Sequence, residues 1–155
     1  MTKLDLVRKF AIESNTIESE LDVHPDQIMA TMCAIKLGGV QSEERLLGLH
    51  KMMTAHLNVP WSGKYRTIQV TVDKHVPPDP FMVPFRMQNF FLDLPEMDAW
   101  TAHNVFEDIH PFQDFNGGMG RLIWLSKAWK DEKYRMEIPF LHMYYYQTLR
   151  HHHKK

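Results

Sequence analysis

Apolar positions recur at helical spacing through most of the chain. Leu6, Val7, Phe10, Ala11 and Ile17 fall on one side of a helix read over residues 3 to 20. A second helix is predicted from Pro25, whose fixed φ suits a first turn, with Asp26 at the positive helix end. Ile28, Met32 and Ile35 form its stripe, and Gly38-Gly39 stops it. A third opens at Ser42, with Glu43 and Glu44 in its first turn. Leu46, Leu49, Met53 and Leu57 make its apolar face, and Pro60 ends it. Beyond Pro60 the period changes. Tyr65-Arg66-Thr67-Ile68-Gln69-Val70-Thr71-Val72 alternates in period two, which predicts a strand. Val76-Pro77-Pro78-Asp79-Pro80 is excluded from a helix interior, because proline lacks the donor and clashes with the preceding turn. Residues 61–84 therefore read as a short β-hairpin or extended flap. Helix returns over residues 81 to 92. Ala99, Ala102, Phe106 and Ile109 line another helix, stopped by Pro111. Leu122 to Lys130 is apolar nearly all round, the mark of a buried central helix. A last helix is predicted from Pro139, rich in Tyr144, Tyr145 and Tyr146. The expected fold class is mainly α with one short β excursion.

Composition narrows the setting. The chain has 155 residues, the size of one ordinary domain. A chain this long buries roughly 70% of its unfolded surface, so it needs neither a disulfide nor a structural metal. With 44% hydrophobic and 24% charged residues, wholesale disorder is excluded. A net charge of −1 argues against nucleic acid or an anionic membrane as partner. The single Cys33 excludes an internal disulfide and any multi-cysteine zinc site. No apolar run approaches the roughly 20 residues that span a bilayer. MTKLDLVRKF lacks the apolar stretch of a secretory signal, so the expected setting is cytoplasmic. The terminal His151, His152, His153, Lys154 and Lys155 are given no function.

The candidate chemistry lies in His110-Pro111-Phe112-Gln113-Asp114-Phe115-Asn116-Gly117-Gly118-Met119-Gly120-Arg121. Pro111 ends one helix, the glycines permit a tight turn, and the next helix is expected to begin at about Gly120. A glycine-rich turn feeding a helix N-terminus is an anion site, since the N–H groups converge where the helix dipole is positive. Arg121 can add a forked cation for phosphate. Asp114 is a hard oxygen ligand suited to Mg²⁺, which binds proteins through one or two carboxylates and otherwise through water and substrate phosphate. His110 can accept a proton near neutral pH. Together these point to chemistry on a nucleoside polyphosphate. The segment lacks G-x-x-x-x-G-K-[ST] and no strand precedes it, so a P-loop is excluded.

In its order the segment closely resembles the defining motif of the Fic domain family, H-P-F-x-[DE]-G-N-G-R-x-x-R. His110, Pro111, Phe112, Asp114, Asn116, Gly117 and Arg121 agree with it. Phe115 stands where the family usually has Gly, and Gly118 where it has Arg. Ser14-Asn15-Thr16-Ile17-Glu18-Ser19 is similar to the family's inhibitory motif, [ST]-x-x-x-E-[GN], departing only at Ser19. Gly63-Lys64-Tyr65-Arg66, a strand and a proline-rich return resemble the family's flap. His103, Phe106 and Ile109 sit where its helix leads into the motif. The similarity spans roughly residues 10 to 130.

The resemblance implies a single Fic-type helical domain over 1–155, with an inhibitory helix over 1–22, the flap over 61–84 and an active-site loop over 110–121. It implies Mg²⁺-dependent transfer of AMP from ATP to a Ser, Thr or Tyr hydroxyl of a protein. His110 would be the general base and Asp114 would hold Mg²⁺. Asn116, Gly117, Gly118 and Gly120 would line the nucleotide phosphates, and Arg121 would bind the γ-phosphate. Phe112 would wedge the loop. Tyr65, Arg66, Thr67, Ile68, Gln69 and Val70 would pair with a target strand. Glu18, aided by Ser14, would restrain the enzyme by pairing with Arg121. Gly118 removes a phosphate-binding guanidinium, which Lys64, Arg66 or Arg86 would have to replace. Phe115 is strained if its position needs positive φ. These departures admit a second expectation: an attenuated or inactive nucleotide- or protein-binding module.

Overall fold

The computed structural model describes residues 2–18, 22–130 and 138. Six α-helices account for most of them: α1 (Lys3–Ile17), α2 (Pro25–Lys36), α3 (Glu43–Thr54), α4 (Val83–Asp93), α5 (Ala99–Ile109) and α6 (Asn116–Ala128). Four of the starts, those of α1, α2, α3 and α5, carry side-chain caps. Thr2 and Asp5 form a reciprocal box at α1, Ser42 accepts the Arg45 N–H at α3, and Asp98 accepts the Thr101 N–H at 2.7 Å at α5. The helix predicted from Pro139 lies outside the described residues.

Helix α6 is the axis of the core. Met119, Leu122, Ile123, Trp124, Leu125 and Ala128 are all buried on it, as the all-round apolar pattern predicts. Each large side chain so buried contributes about 1.5–3 kcal/mol. Around it lie Ala30 and Ala34 of α2, Leu46, Leu49 and Met53 of α3, Met87 and Phe90 of α4, and Ala102 and Phe106 of α5. α1 closes one side with Val7, Phe10 and Ala11. It is tied to α2 by a reciprocal amide pair, Gln27 Nε2 to Asn15 Oδ1 at 2.8 Å and Asn15 Nδ2 to Gln27 Oε1 at 3.1 Å.

Two expectations change. α6 begins at Asn116, four residues before Gly120, so Gly117, Gly118 and Gly120 belong to a helix rather than to a turn. In place of the predicted hairpin, the described flap has one antiparallel bridge, Val72 to His75, around Asp73 at φ 52°. The reason is competition for backbone acceptors. The Arg66 guanidinium takes the carbonyls of Ile68 and Pro78, and Gln69 Nε2 takes those of Val70 and Pro77. The prolines supply no N–H for a ladder.

Candidate functional site

The loop between α5 and α6 is fixed from within. α5 ends on His110 in the left-handed region (φ 52°, ψ 61°), its N–H returning to Phe106 O. Pro111 then prevents further helix. Phe112 is fully buried and stacks on His50 at 3.8 Å between ring centroids. Asn116 closes the loop: its Oδ1 accepts the Phe112 N–H at 2.8 Å and its Nδ2 donates to Phe112 O at 2.7 Å. The side chain expected to meet phosphate is thus buried and fastened to the loop backbone. His50 braces the same loop. Its Nδ1 accepts the Gly63 N–H at 2.9 Å, so Nε2 carries the proton and donates to Asp114 O at 3.1 Å. Burial lowers its pKa and keeps the ring neutral, against weaker opposition from Asp114. His50 was missed in the sequence. Its signal was a histidine inside the buried stripe of Leu46, Leu49 and Met53.

The α6 N-terminus has the makings of an anion site. Its cap residue, Phe115, lies in the left-handed region (φ 68°, ψ 20°) and provides no side-chain cap. The N–H groups of the first turn have no acceptor within the helix. Asp114 is exposed beside them, and its Oδ1 accepts the Phe115 N–H at 2.7 Å. An accessible carboxylate beside an uncapped helix N-terminus fits the kind of ligand set that Mg²⁺ uses with phosphates, one protein carboxylate with the rest supplied by water and ligand. Above Gly118 the space is open, with Met53 Sδ 3.5 Å from where a Cβ would stand.

Arg121, in the second turn, is 1% exposed and is held by α1. Its Nε donates to Ser14 Oγ at 2.7 Å and one terminal nitrogen donates to Glu18 Oε1 at 2.8 Å. The pairing expected of Glu18, Ser14 and Arg121 is present. A Cβ on Gly117 would fall on Glu18 Oε1 and lie 3.0 Å from the Arg121 guanidinium. On the other side a Cβ on Gly120 would fall on Glu107 Oε1, with His103 Nδ1 at 3.1 Å. These two glycines serve by lacking a side chain. Burial pushes the Glu107 carboxyl up to about 8, Glu18 and Asp108 push the same way, and Arg121 opposes. Burial lowers His103 to about 4, and Arg121 adds to the effect.

The flap residues divide. Tyr65 turns inward against Phe112, and burial raises its phenol pKa. Arg66 is 2% exposed and bonded to backbone carbonyls. Both side chains turn into the protein, and Arg66 is not available to replace the arginine absent at 118. Lys64, just before Tyr65, and Arg86, on α4, are exposed. Thr67, Ile68 and Gln69 are exposed and Val70 is half-buried, so they form the outward part of the flap. The His110 pKa is lowered, first by burial and then by Arg66 and His75, while the Glu107 backbone and Asp114 oppose. An imidazole so placed is neutral near pH 7, the form that accepts a proton.

Two other features lie apart. His24, Asp26 and His56 cluster at the start of α2. The two histidine rings stack in parallel at 3.8 Å, the His24 Nδ1 accepts the Asp26 N–H, and the Asp26 carboxylate accepts the His56 N–H at 3.2 Å, so the cluster is a hydrogen-bonded helix cap. A cavity of about 670 Å³ lies at the opposite end of α6, between Gly39, Met97 and Lys127. It has no part of the loop among its walls.

A neutral histidine, an exposed carboxylate and an uncapped helix end lie together on one loop of a helical domain, with a guanidinium held from α1 beside them. The Fic/DOC family model matches residues 41–125, more than half of the chain, and the chain belongs to the Fic/DOC family. It is similar to the proteins named Protein adenylyltransferase Fic of Culex quinquefasciatus and Aedes aegypti. Each is 29% identical over 136 residues, 79% of this chain and 27% of theirs. The Drosophila virilis protein of that name is 36% identical over 87 residues, 50% of this chain and 18% of its own. The chain thus spans about a quarter or less of the length of these relatives. A crystal structure of a Fic family protein from Desulfovibrio desulfuricans G20 superposes with a TM-score of 0.65 at 23% identity. It covers 90% of this chain and 56% of the other, and the two share the fold. Among the described residues no helix is long and apolar enough to cross a membrane.

Proposed function

We propose that this chain, as a single domain, transfers AMP from ATP to a Ser, Thr or Tyr hydroxyl of a protein, and that Glu18 restrains it. The observation that carries the reading is the seat of Arg121. Its guanidinium stands at the anion-binding end of α6, yet Glu18 and Ser14 occupy it. A carboxylate on that fork competes with a triphosphate for the same donors. In the unrestrained state Arg121 orients the γ-phosphate, and the N–H groups of Asn116, Gly117 and Gly118 receive charge on the α-phosphate. Asp114 is the residue to hold Mg²⁺, which offsets phosphate charge when bound. His110 takes the proton of the target hydroxyl as its oxygen bonds to the α-phosphorus. The bond from that phosphorus to the bridging oxygen breaks, and pyrophosphate leaves with the electron pair. The exposed flap residues Thr67 to Val70 receive the target segment. The names of the relatives support this reaction over other nucleotidyl transfers. One observation favours a second reading: no guanidinium stands at 118, so a nucleotide-binding module without turnover is the rival.

Intact-mass measurement after incubation with ATP and Mg²⁺ separates them. The Glu18→Gly protein is expected to gain one AMP, and Glu18→Gly with His110→Ala to gain none while still binding ATP. Calorimetric ATP binding by Glu18→Gly, with no transfer to itself or to lysate proteins, would replace the transferase reading with the binding-module one.

A further inference from the structure

Arg66 of the flap and His110 lie more than forty residues apart in the chain, and the Arg66 side chain makes most of the bonds between them, beside one from His75 Nε2 to Asp108 O at 2.9 Å. Arg66 donates from Nε to His110 O at 2.7 Å and from one terminal nitrogen to Ile109 O at 3.3 Å and to Pro78 O. Its other terminal nitrogen donates to Ile68 O at 3.0 Å, and its backbone N–H donates to Pro111 O at 2.9 Å. Three successive carbonyls of the loop, 109 to 111, therefore end on one residue. Both arms of the flap end on the same guanidinium. The carbonyls at 109 and 110 close the C-terminus of α5, where the helix dipole is negative, so a buried cation is favoured there without a directly bonded carboxylate. They also bracket a histidine held at φ 52°, a conformation its neighbours must impose.

We infer that Arg66 is a positioning residue for His110: it locks the two arms of the flap to the backbone that carries the imidazole, so flap and base move as one body. The inference rests on the reading of His110 as the base. A planar fork is needed, because a lysine ammonium is one point and cannot span carbonyls on two arms and a loop. The phosphate side of the site, from Asn116 to Arg121, is held by separate bonds to Phe112, Ser14 and Glu18. Arg66 should therefore affect turnover without affecting nucleotide affinity.

The test has two arms on the full chain. In the Glu18→Gly background, Arg66→Met is expected to lower kcat about 10²-fold, the scale of a misplaced catalytic group, and Arg66→Lys to recover only part of that loss. The KM for ATP and the calorimetric ATP affinity should stay within about 2-fold. Amide hydrogen exchange, which needs no activity, is the second arm. Arg66→Met should speed exchange at Arg66 or its replacement, at His75 and at His110 together. If Arg66→Met does not fold, the same exchange pattern is sought in Arg66→Lys. Faster exchange in the flap with His110 unchanged, ATP affinity falling in step with kcat, or full recovery by lysine would each overturn the inference. A Glu18→Gly parent without transfer would remove the transferase reading, while the exchange arm still decides whether Arg66 joins flap and loop.

Discussion

Glu107 keeps its proton chiefly because it is buried, which raises its pKa from 4.5 to about 8. Arg121 opposes the rise, but its guanidinium is already met by Glu18 at 2.8 Å. Glu18 and Asp108 add smaller pushes in the direction of burial. The sign of the linkage follows. The folded state holds this proton more tightly than the unfolded chain, so the contribution of Glu107 to stability is whole below pH 4.5. It declines as pH rises from there through about 8. Glu107→Gln keeps the shape and removes the titration. It is expected to change Tm by no more than about 3 °C at pH 5 and to raise it by roughly 9–18 °C at pH 8.5. Thermal melts across that range check the window. Phe115 is the other residue under tension. An L-residue with a bulky side chain at φ 68° costs about 1–2 kcal/mol. Its partial burial near Trp61, at 6.4 Å between ring centroids, offsets part of that. Phe115→Gly is therefore expected to shift Tm by no more than about 3 °C in either direction, which a calorimetric melt measures. A larger fall would mean that the ring is a packing element of the loop.

At the scale of elements, α1, α2, α3 and α5 were legible because each is amphipathic with its ends marked in the chain itself. Ser42 with Glu43 and Glu44, Pro25 with Asp26, and the Pro111 stop needed no tertiary knowledge. The start of α6 was not legible. Its cap is a phenylalanine in a conformation that favours glycine, and the loop is closed by Asn116 bonding back to Phe112, a pairing that spacing alone does not reveal. The flap failed as a hairpin for a similar reason, since the groups that take its carbonyls are the side chains of Arg66 and Gln69. At the site, His110, Asp114 and Arg121 were legible through an ordered motif. His50 and Arg66 were not given positioning roles, because a histidine in an apolar stripe and an arginine in an alternating one announce no bond to a distant backbone. The glycine at 118 is the element-scale departure with a testable consequence. The first turn of α6 is open there, with only Met53 Sδ nearby at 3.5 Å, and no positive φ forbids a side chain. In a Glu18→Gly background, Gly118→Arg is expected to raise AMP transfer by about 10- to 10²-fold. That is at or below the lower end of the roughly 10²- to 10³-fold lost when one preorganised donor is removed from an active site. Labelled AMP incorporation measures it. If only the double change with Phe115→Gly gains activity, the obstruction lies at the cap of α6 rather than in a missing charge.

Across the whole molecule, the site is shared between two ends of the chain. α1 supplies Ser14 and Glu18, and α6 supplies Arg121 and Gly117, with more than a hundred residues between the members of each bond. The contact is asymmetric. Arg121 is 1% exposed, whereas the Glu18 side chain is 54% exposed. A carboxylate so open to water gives little to stability, on the order of the 0–1 kcal/mol of surface pairs. It can nevertheless decide which anion occupies a buried guanidinium. Glu18→Gly is therefore expected to lower Tm by only about 1–3 °C and to raise AMP transfer at least about 10-fold. The two residues should act as one unit, so in a cycle with Arg121→Ala the gain from Glu18→Gly should vanish. Glu107 makes the cycle sharper. Once Glu18 is gone, the opposing charge of Glu107 is lost and Arg121 remains, so the Glu107 carboxyl should ionise more readily. The high-pH stabilisation expected of Glu107→Gln should accordingly shrink in the Glu18→Gly background and persist where Glu18 is intact. Melts of the two singles and the double at pH 8.5 test the charge balance without any catalytic assay. Activation by Glu18→Gly that survives Arg121→Ala, together with an unchanged Glu107→Gln effect, would mean that α1 restrains the site by covering it rather than by holding its arginine.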